Sequence, residues 1–204
     1  MSEELSVPLT SEAVPVATSA TWLRTAGIVL AGSAFVAFCA HIALPLYFTP
    51  VPLTLQAFAV LLLGLLLSPR PAAATLAVYL AEGALGLPVF APVPVIPGGM
   101  AHLLGPTGGY LLAYPLAVAL ISFLWRRTSL RRTGRSFAGA ALSAAAGNIV
   151  ILGCGGLWLA VLTHASAESA LALAVFPFLP GDALKISAAA ALAVGFQRFR
   201  RQAT

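Results

Sequence analysis

The feature that most constrains this chain is the placement of its arginines. All ten, Arg24, Arg70, Arg126, Arg127, Arg131, Arg132, Arg135, Arg198, Arg200 and Arg201, bound three charge-poor blocks, Thr25 to Pro69, Pro71 to Trp125 and Ser136 to Gln197. Each block is too long for one membrane-crossing helix and long enough for two, at about 20 residues per span. If each block is a helical hairpin, every arginine lands on one side of a bilayer. The preference of Lys and Arg for the inner face makes that side cytoplasmic. The expectation is an all-α, polytopic protein of the cell membrane with six transmembrane helices and both termini inside. The spans fall at about Trp22 to Leu44, Leu53 to Leu67, Ala72 to Leu85, Gly108 to Trp125, Phe137 to Thr163 and Pro180 to Phe199, with a short apolar helix near Ala170 to Val175. Residues 1–21 carry Glu3, Glu4 and Glu12 among Ser, Thr and Pro. With no basic start and no apolar core they read as a flexible tail rather than a signal peptide, leaving 22–204 as the membrane domain.

Composition agrees with this reading. The chain is 60% hydrophobic and 8% charged, where a soluble domain carries about 25% charged residues. The net charge of +5 resides in the arginine clusters between apolar blocks, so it marks topology rather than a nucleic-acid partner. Cys39 and Cys154 lie in apolar spans without metal-ligand spacing and read as packing residues. No Gly-x-x-x-x-Gly-Lys-Ser/Thr loop is present for ATP hydrolysis, and the glycine runs at Gly98-Gly99 and Gly105 to Tyr110 follow no strand. His41, His102 and His164 fall at or beyond the outer span ends, with no nucleophile elbow to accompany them. No catalytic residue, metal or cofactor is expected, and the chain is not read as an enzyme.

Against so apolar a background the interior polar residues stand out. Asp182 and the only lysine, Lys185, are three apart and share a helix face, just after Pro180 in a first helical turn. Ionisable groups at membrane depth are costly and mark functional sites by default. A lysine near the positive end of a helix dipole needs a compensating group: Asp182, Glu82 or an anionic ligand. Gln56, Tyr79, Glu82 and Asn148 complete a set that can line one pocket, although amides such as Gln56 and Asn148 equally serve as glue between helices. The Pro- and Gly-rich connection Gly86 to Thr107 reads either as a surface loop or as a lid. On the first helix Gly27, Ala31 and Ala34 form a small-residue face, open to packing within the fold or to a separate membrane partner.

Three stretches then carry a resemblance. Phe48-Thr49-Pro50-Val51-Pro52-Leu53-Thr54-Leu55-Gln56, Leu104-Gly105-Pro106-Thr107-Gly108-Gly109-Tyr110-Leu111 and Pro177 to Lys185 resemble, in order, the signature stretches of the BioY family, the biotin-binding S components of energy-coupling factor (ECF) transporters. The resemblance runs from about Ala26 to Arg198. It implies a six-helix S component that captures biotin from outside and delivers it inward, powered by a membrane coupling protein and two ABC-type ATPases. A mostly apolar pocket with a few convergent polar groups suits such a ligand: Asn148, Gln56 and Asp182 are expected to serve the ureido group, Tyr79 and Tyr110 to pack on the bicycle or hydrogen-bond near it, and Lys185 to compensate negative charge, either on the ligand carboxylate or on Asp182. The resemblance also favours the coupling protein as the partner of the Gly27, Ala31, Ala34 face. The run Pro92 to Pro97 and the acidic tail depart from the pattern. Two readings of other classes stand beside it: a stand-alone proton-coupled secondary transporter of a small anionic vitamin, with Glu82, Asp182 and Lys185 as a relay, and a membrane enzyme using the same groups.

Overall fold

The computed structural model describes residues 19–93, 98–131 and 136–202. The expected tail through residue 18, residues 94–97 of the Pro92 to Pro97 run, and Arg132 and Arg135 lie outside the described residues. The elements are α1 (Ser19–His41), a two-stranded ribbon of β1 (Ala43–Leu44) and β2 (Leu53–Thr54), α2 (Gln56–Leu66), α3 (Pro69–Ala84), α4 (Met100–Leu104), α5 (Gly108–Arg131), α6 (Phe137–Thr163), α7 (Ala167–Ala174), a 3-10 turn Phe176–Phe178, and α8 (Leu179–Gln202).

Local chemistry explains where these helices stop. The first is expected to reach Leu44 and the second to begin at Leu53, but α1 ends at His41 and α2 starts at Gln56. Leu44, Thr49 and Val51 each precede a proline, which disfavours helix. The chain instead pairs Ala43 with Thr54 and Leu44 with Leu53, antiparallel. α3 has prolines at its start, where the missing N–H is harmless. Ser136 caps α6 by accepting from Gly139 N, and Ser166 caps α7 by accepting from Ser169 N. α6 coincides with the expected span, and α7 lies where the short apolar helix is expected.

Among the described residues four helical stretches are long and apolar enough to cross a bilayer: Thr21–His41, Gly108–Thr128, Phe137–Thr163 and Ala167–Arg200. α2 and α3, with 11 and 16 residues, extend about 17 and 24 Å at 1.5 Å per residue, short of a hydrocarbon core of about 30 Å. Length alone therefore gives four spans where the arginine spacing predicts six. The outer surface is strongly apolar, with Phe38, Leu116, Leu142, Ile149, Leu157, Leu184 and Phe199 largely exposed. In water such patches invite association, whereas in lipid they are the expected surface.

Two packed clusters fill the interior. At one end Leu61, Leu65, Ile121, Trp125, Ala140, Ala190 and Val194 pack together, and Ser122 Oγ donates to Leu67 O at 2.6 Å. This cluster unites the ends of α2, α5, α6 and α8 that adjoin arginines in the sequence. Toward the other end a larger cluster contains Val36, Leu76, Tyr79, Phe90, Tyr110, Tyr114, Ile151 and Phe178.

α1 resolves one open alternative. Its inward face is Ser33, Val36, Cys39 and Ala40, all fully or almost fully buried, while Gly27, Ala31 and Ala34 are exposed. A Cβ placed at Gly27 would meet nothing. The small-residue face therefore does no packing within this fold. Cys39 is buried as expected, but Cys154 is exposed on α6 and is not a core packing residue.

Candidate functional site

Away from the arginine-bearing ends, the larger cluster surrounds a cleft with about 570 Å³ of empty space, counting its open mouth. Gln56 is the first residue of α2 and Asp182 lies in the first turn of α8. Tyr110 sits near the start of α5, Asn148 lies midway along α6, and His102 is carried by α4. All five line the cleft together with Lys185 and several apolar side chains.

The polar centre of the cleft is a three-residue network. Lys185 Nζ donates to Asp182 Oδ1 at 3.0 Å, and Asn148 Nδ2 donates to Asp182 Oδ2 at 3.0 Å. Both carboxylate oxygens are thus engaged on a side chain only 6% exposed. The pairing answers what favours a lysine at a helix start: here Asp182 does. It also fixes the Asn148 amide, because only its NH₂ can donate to a carboxylate. Asn148 Oδ1 is left buried with no partner, as is Thr107 Oγ1. Buried polar atoms without protein partners are uncommon, and these two are where a donor or acceptor entering the cleft can bond.

A second chain of bonds shapes the opposite wall. Gln56 Nε2 donates to Tyr79 Oη at 2.8 Å, and Tyr79 Oη donates to Val89 O at 3.0 Å. Tyr79 itself does not line the cleft; it holds Gln56 and meets Phe90 edge-on, with centroids 5.4 Å apart. Tyr110 lines the cleft with its ring, while its hydroxyl donates to Ala174 O at 2.6 Å and anchors α7. Gly155 on α6 permits this, since a Cβ there would overlap the Tyr110 ring. Thr49 Oγ1 donates to Leu173 O at 2.8 Å, tying the ribbon's connection to α7. The glycines of Gly108-Gly109-Tyr110 serve packing: a Cβ at either would overlap Leu103 O or Trp158, and Trp158 Nε1 donates to Gly105 O at 2.9 Å.

The structure does not bring Glu82 to the cleft. It lies on α3 and accepts from Ser33 Oγ of α1, a bond between helices outside the lining. Tyr79 and Glu82 do share a face of α3, but only Tyr79 reaches a lining residue. Sequence reasoning missed His102, Thr107, Tyr114 and Phe178, all of which line the cleft. Thr107 and Phe178 lie within the signature stretches, and Tyr114 follows Tyr110 by one helical turn. His102 had no such signal, because its place depends on how the connection folds back over the cleft. There burial pushes its imidazole pKa down.

A bundle with an apolar outer belt and a cleft apolar-walled around a few convergent polar groups defines a membrane-embedded small-molecule-binding protein. Comparison with known proteins narrows this class. The chain belongs to the BioY family, whose model matches residues 7–202. It is 39% identical over 148 residues to a probable biotin transporter BioY of Pyrococcus horikoshii, covering 72% of this chain and 82% of that one. It is 34% identical over 166 residues to the biotin transporter BioY of Thermotoga maritima, covering 81% and 91%. The fold matches the crystal structure of the S component for biotin from an ECF-type ABC transporter with a TM-score of 0.80 at 25% identity, covering 90% of this chain and 95% of that chain.

Proposed function

We propose that this protein is the biotin-capturing S component of an ECF transporter in the cell membrane. It is not an enzyme; it binds biotin and presents it to a membrane coupling protein driven by two ABC-type ATPases. The observation that carries the reading is Asn148 Oδ1, a buried acceptor with no protein partner whose amide is held by Asp182. A ureido N–H supplies the missing donor. Tyr114 also lines the cleft and its side chain makes no hydrogen bond among the described residues, so its hydroxyl is the donor this reading assigns to the ureido carbonyl. Tyr110 and Phe178, with centroids 6.2 Å apart, offer apolar faces to the bicycle.

The topology of this reading is six membrane-embedded helices, α1, α2, α3, α5, α6 and α8, with both termini cytoplasmic. The clustering of arginine-adjacent helix ends supports it, with α2 and α3 as short members sheltered by longer neighbours. The exposed Gly27, Ala31, Ala34 face lets another helix approach closely and is assigned to the coupling protein. The secondary-transport alternative needs Glu82 in one relay with Asp182 and Lys185, and Glu82 lies outside the cleft lining.

The test is equilibrium binding of biotin to the purified chain, followed by uptake in vesicles with and without the ATP-hydrolysing partners. Tight binding is expected, and Asn148→Leu weakens it roughly 10- to 100-fold, the cost of about 1–3 kcal/mol for an unpaired ureido donor. Absence of binding by folded wild type refutes the reading. Uptake that survives without the ATPases but collapses with the proton gradient favours the secondary transporter.

A further inference from the structure

We propose that His102 is the second polar anchor of the cleft, taking the carboxylate end of the ligand and making its capture tighter at lower pH. The inference rests on the biotin reading above and names the residue that holds the ligand's other end.

Most polar groups of the cleft are already engaged. Lys185 is paired to Asp182, and Asn148 occupies the second carboxylate oxygen. Gln56 Nε2 is engaged by Tyr79, and the Tyr110 hydroxyl by Ala174 O. The charge of the only cation among the lining residues is therefore already balanced by Asp182, so a ligand carboxylate gains little net charge compensation there and is better served by a second polar group. His102 is 4% exposed, lines the cleft and makes no side-chain hydrogen bond among the described residues. Its ring lies 5.2 Å from that of Phe90, tilted by 30°, and Phe90 in turn packs edge-on against Tyr79. The stack fixes the imidazole and leaves its nitrogens without a protein partner. Thr107, another lining residue, adds a buried hydroxyl with no partner.

The pH dependence follows from charge. Burial lowers the imidazole pKa in the empty cleft, so His102 is neutral at pH 7. A carboxylate arriving beside it favours the imidazolium. Binding then takes up a proton, and affinity rises as pH falls through the window between the pKa of the complex and the lower one of the empty protein. The helices packed on α4 are α3 and α5. Their titratable groups near this end are Tyr79, Glu82, Tyr110 and Tyr114, and their arginines stand at the opposite end. Glu82 is engaged by Ser33, and tyrosines, with ordinary values of about 10, stay neutral over this range.

The experiment is equilibrium binding of biotin and of biotinamide, which lacks the carboxylate, to wild type and His102→Gln at pH 7.5 and 6.0. Thermal unfolding of each protein serves as the check of folding. Wild type should bind biotin roughly tenfold more tightly at pH 6.0, from uptake of up to one proton, while biotinamide shows no such gain. His102→Gln should lose the pH response to biotin. An equal response to both ligands, or one that persists in folded His102→Gln, overturns the proposal while leaving biotin binding intact. Failure of folded wild type to bind biotin at either pH overturns the functional reading and this inference with it.

Discussion

Replacing Lys185 by Met tests the central network most directly. The pair is deeply placed, with side chains 11% and 6% exposed and a single 3.0 Å contact. Removing one member of a buried ion pair costs about 3–5 kcal/mol, because the other charge is left uncompensated. One feature reduces that figure here: Asn148 still donates to Asp182 Oδ2, a charge-assisted bond of about 1.5–3 kcal/mol. The expected loss is therefore about 2–3 kcal/mol, below the full penalty for breaking a buried pair. Adding Asp182→Asn to Lys185→Met removes the stranded charge, so the double variant should regain most of the loss. Unfolding in mixed micelles gives the four free energies of the cycle, and a coupling of about 1.5 kcal/mol or more is expected for directly bonded charges. A coupling below about 0.5 kcal/mol would refute the reasoning, since independent sites add to within that margin. The pair would then contribute no net coupling despite its burial.

Two further outcomes follow from the packing. Gly155→Ala places a methyl group where the Tyr110 ring lies, so it should destabilise the protein by about 1–3 kcal/mol through overpacking and weaken biotin binding; unchanged unfolding and binding would show that α5 and α6 can part without cost. Ala31→Leu enlarges the exposed face of α1 without touching the cleft, so biotin binding by the isolated chain should persist while ATP-driven uptake with the coupling module falls severalfold or more. Normal uptake in that variant would remove this face from the partner interface.

Much of the site was legible because the sequence is so poor in polar residues. In a chain this apolar, Asp182, Lys185, Asn148 and Gln56 had few places to be, and the i, i+3 spacing of the first two already implied their contact. Glu82 obeyed the same logic of composition but not of place. It shares a helix face with Tyr79, yet its partner is Ser33 on α1, and no local spacing reveals a contact between residues so far apart in sequence. The sequence singled out two tyrosines, but the use of their hydroxyls was hidden: Tyr79 and Tyr110 each donate to a backbone carbonyl, and of the two only Tyr110 lines the cleft.

The sequence by itself determined the class of fold, a mostly helical membrane protein. Hydrophobic block lengths and arginine positions depend on the solvent around the chain, water or lipid, and therefore act one segment at a time. Proline positions acted in the same local way, and α6 has the ends that composition predicted. Tertiary structure alone decided which residues of the Pro- and Gly-rich connection reach the cleft. His102 is brought there because Phe90 folds back onto Tyr79 and Gly83 and carries the imidazole beside it. It also decided that the small-residue face of α1 turns outward. Both outcomes depend on contacts between distant segments, whose free energy belongs to the packed pair and is encoded in neither segment alone.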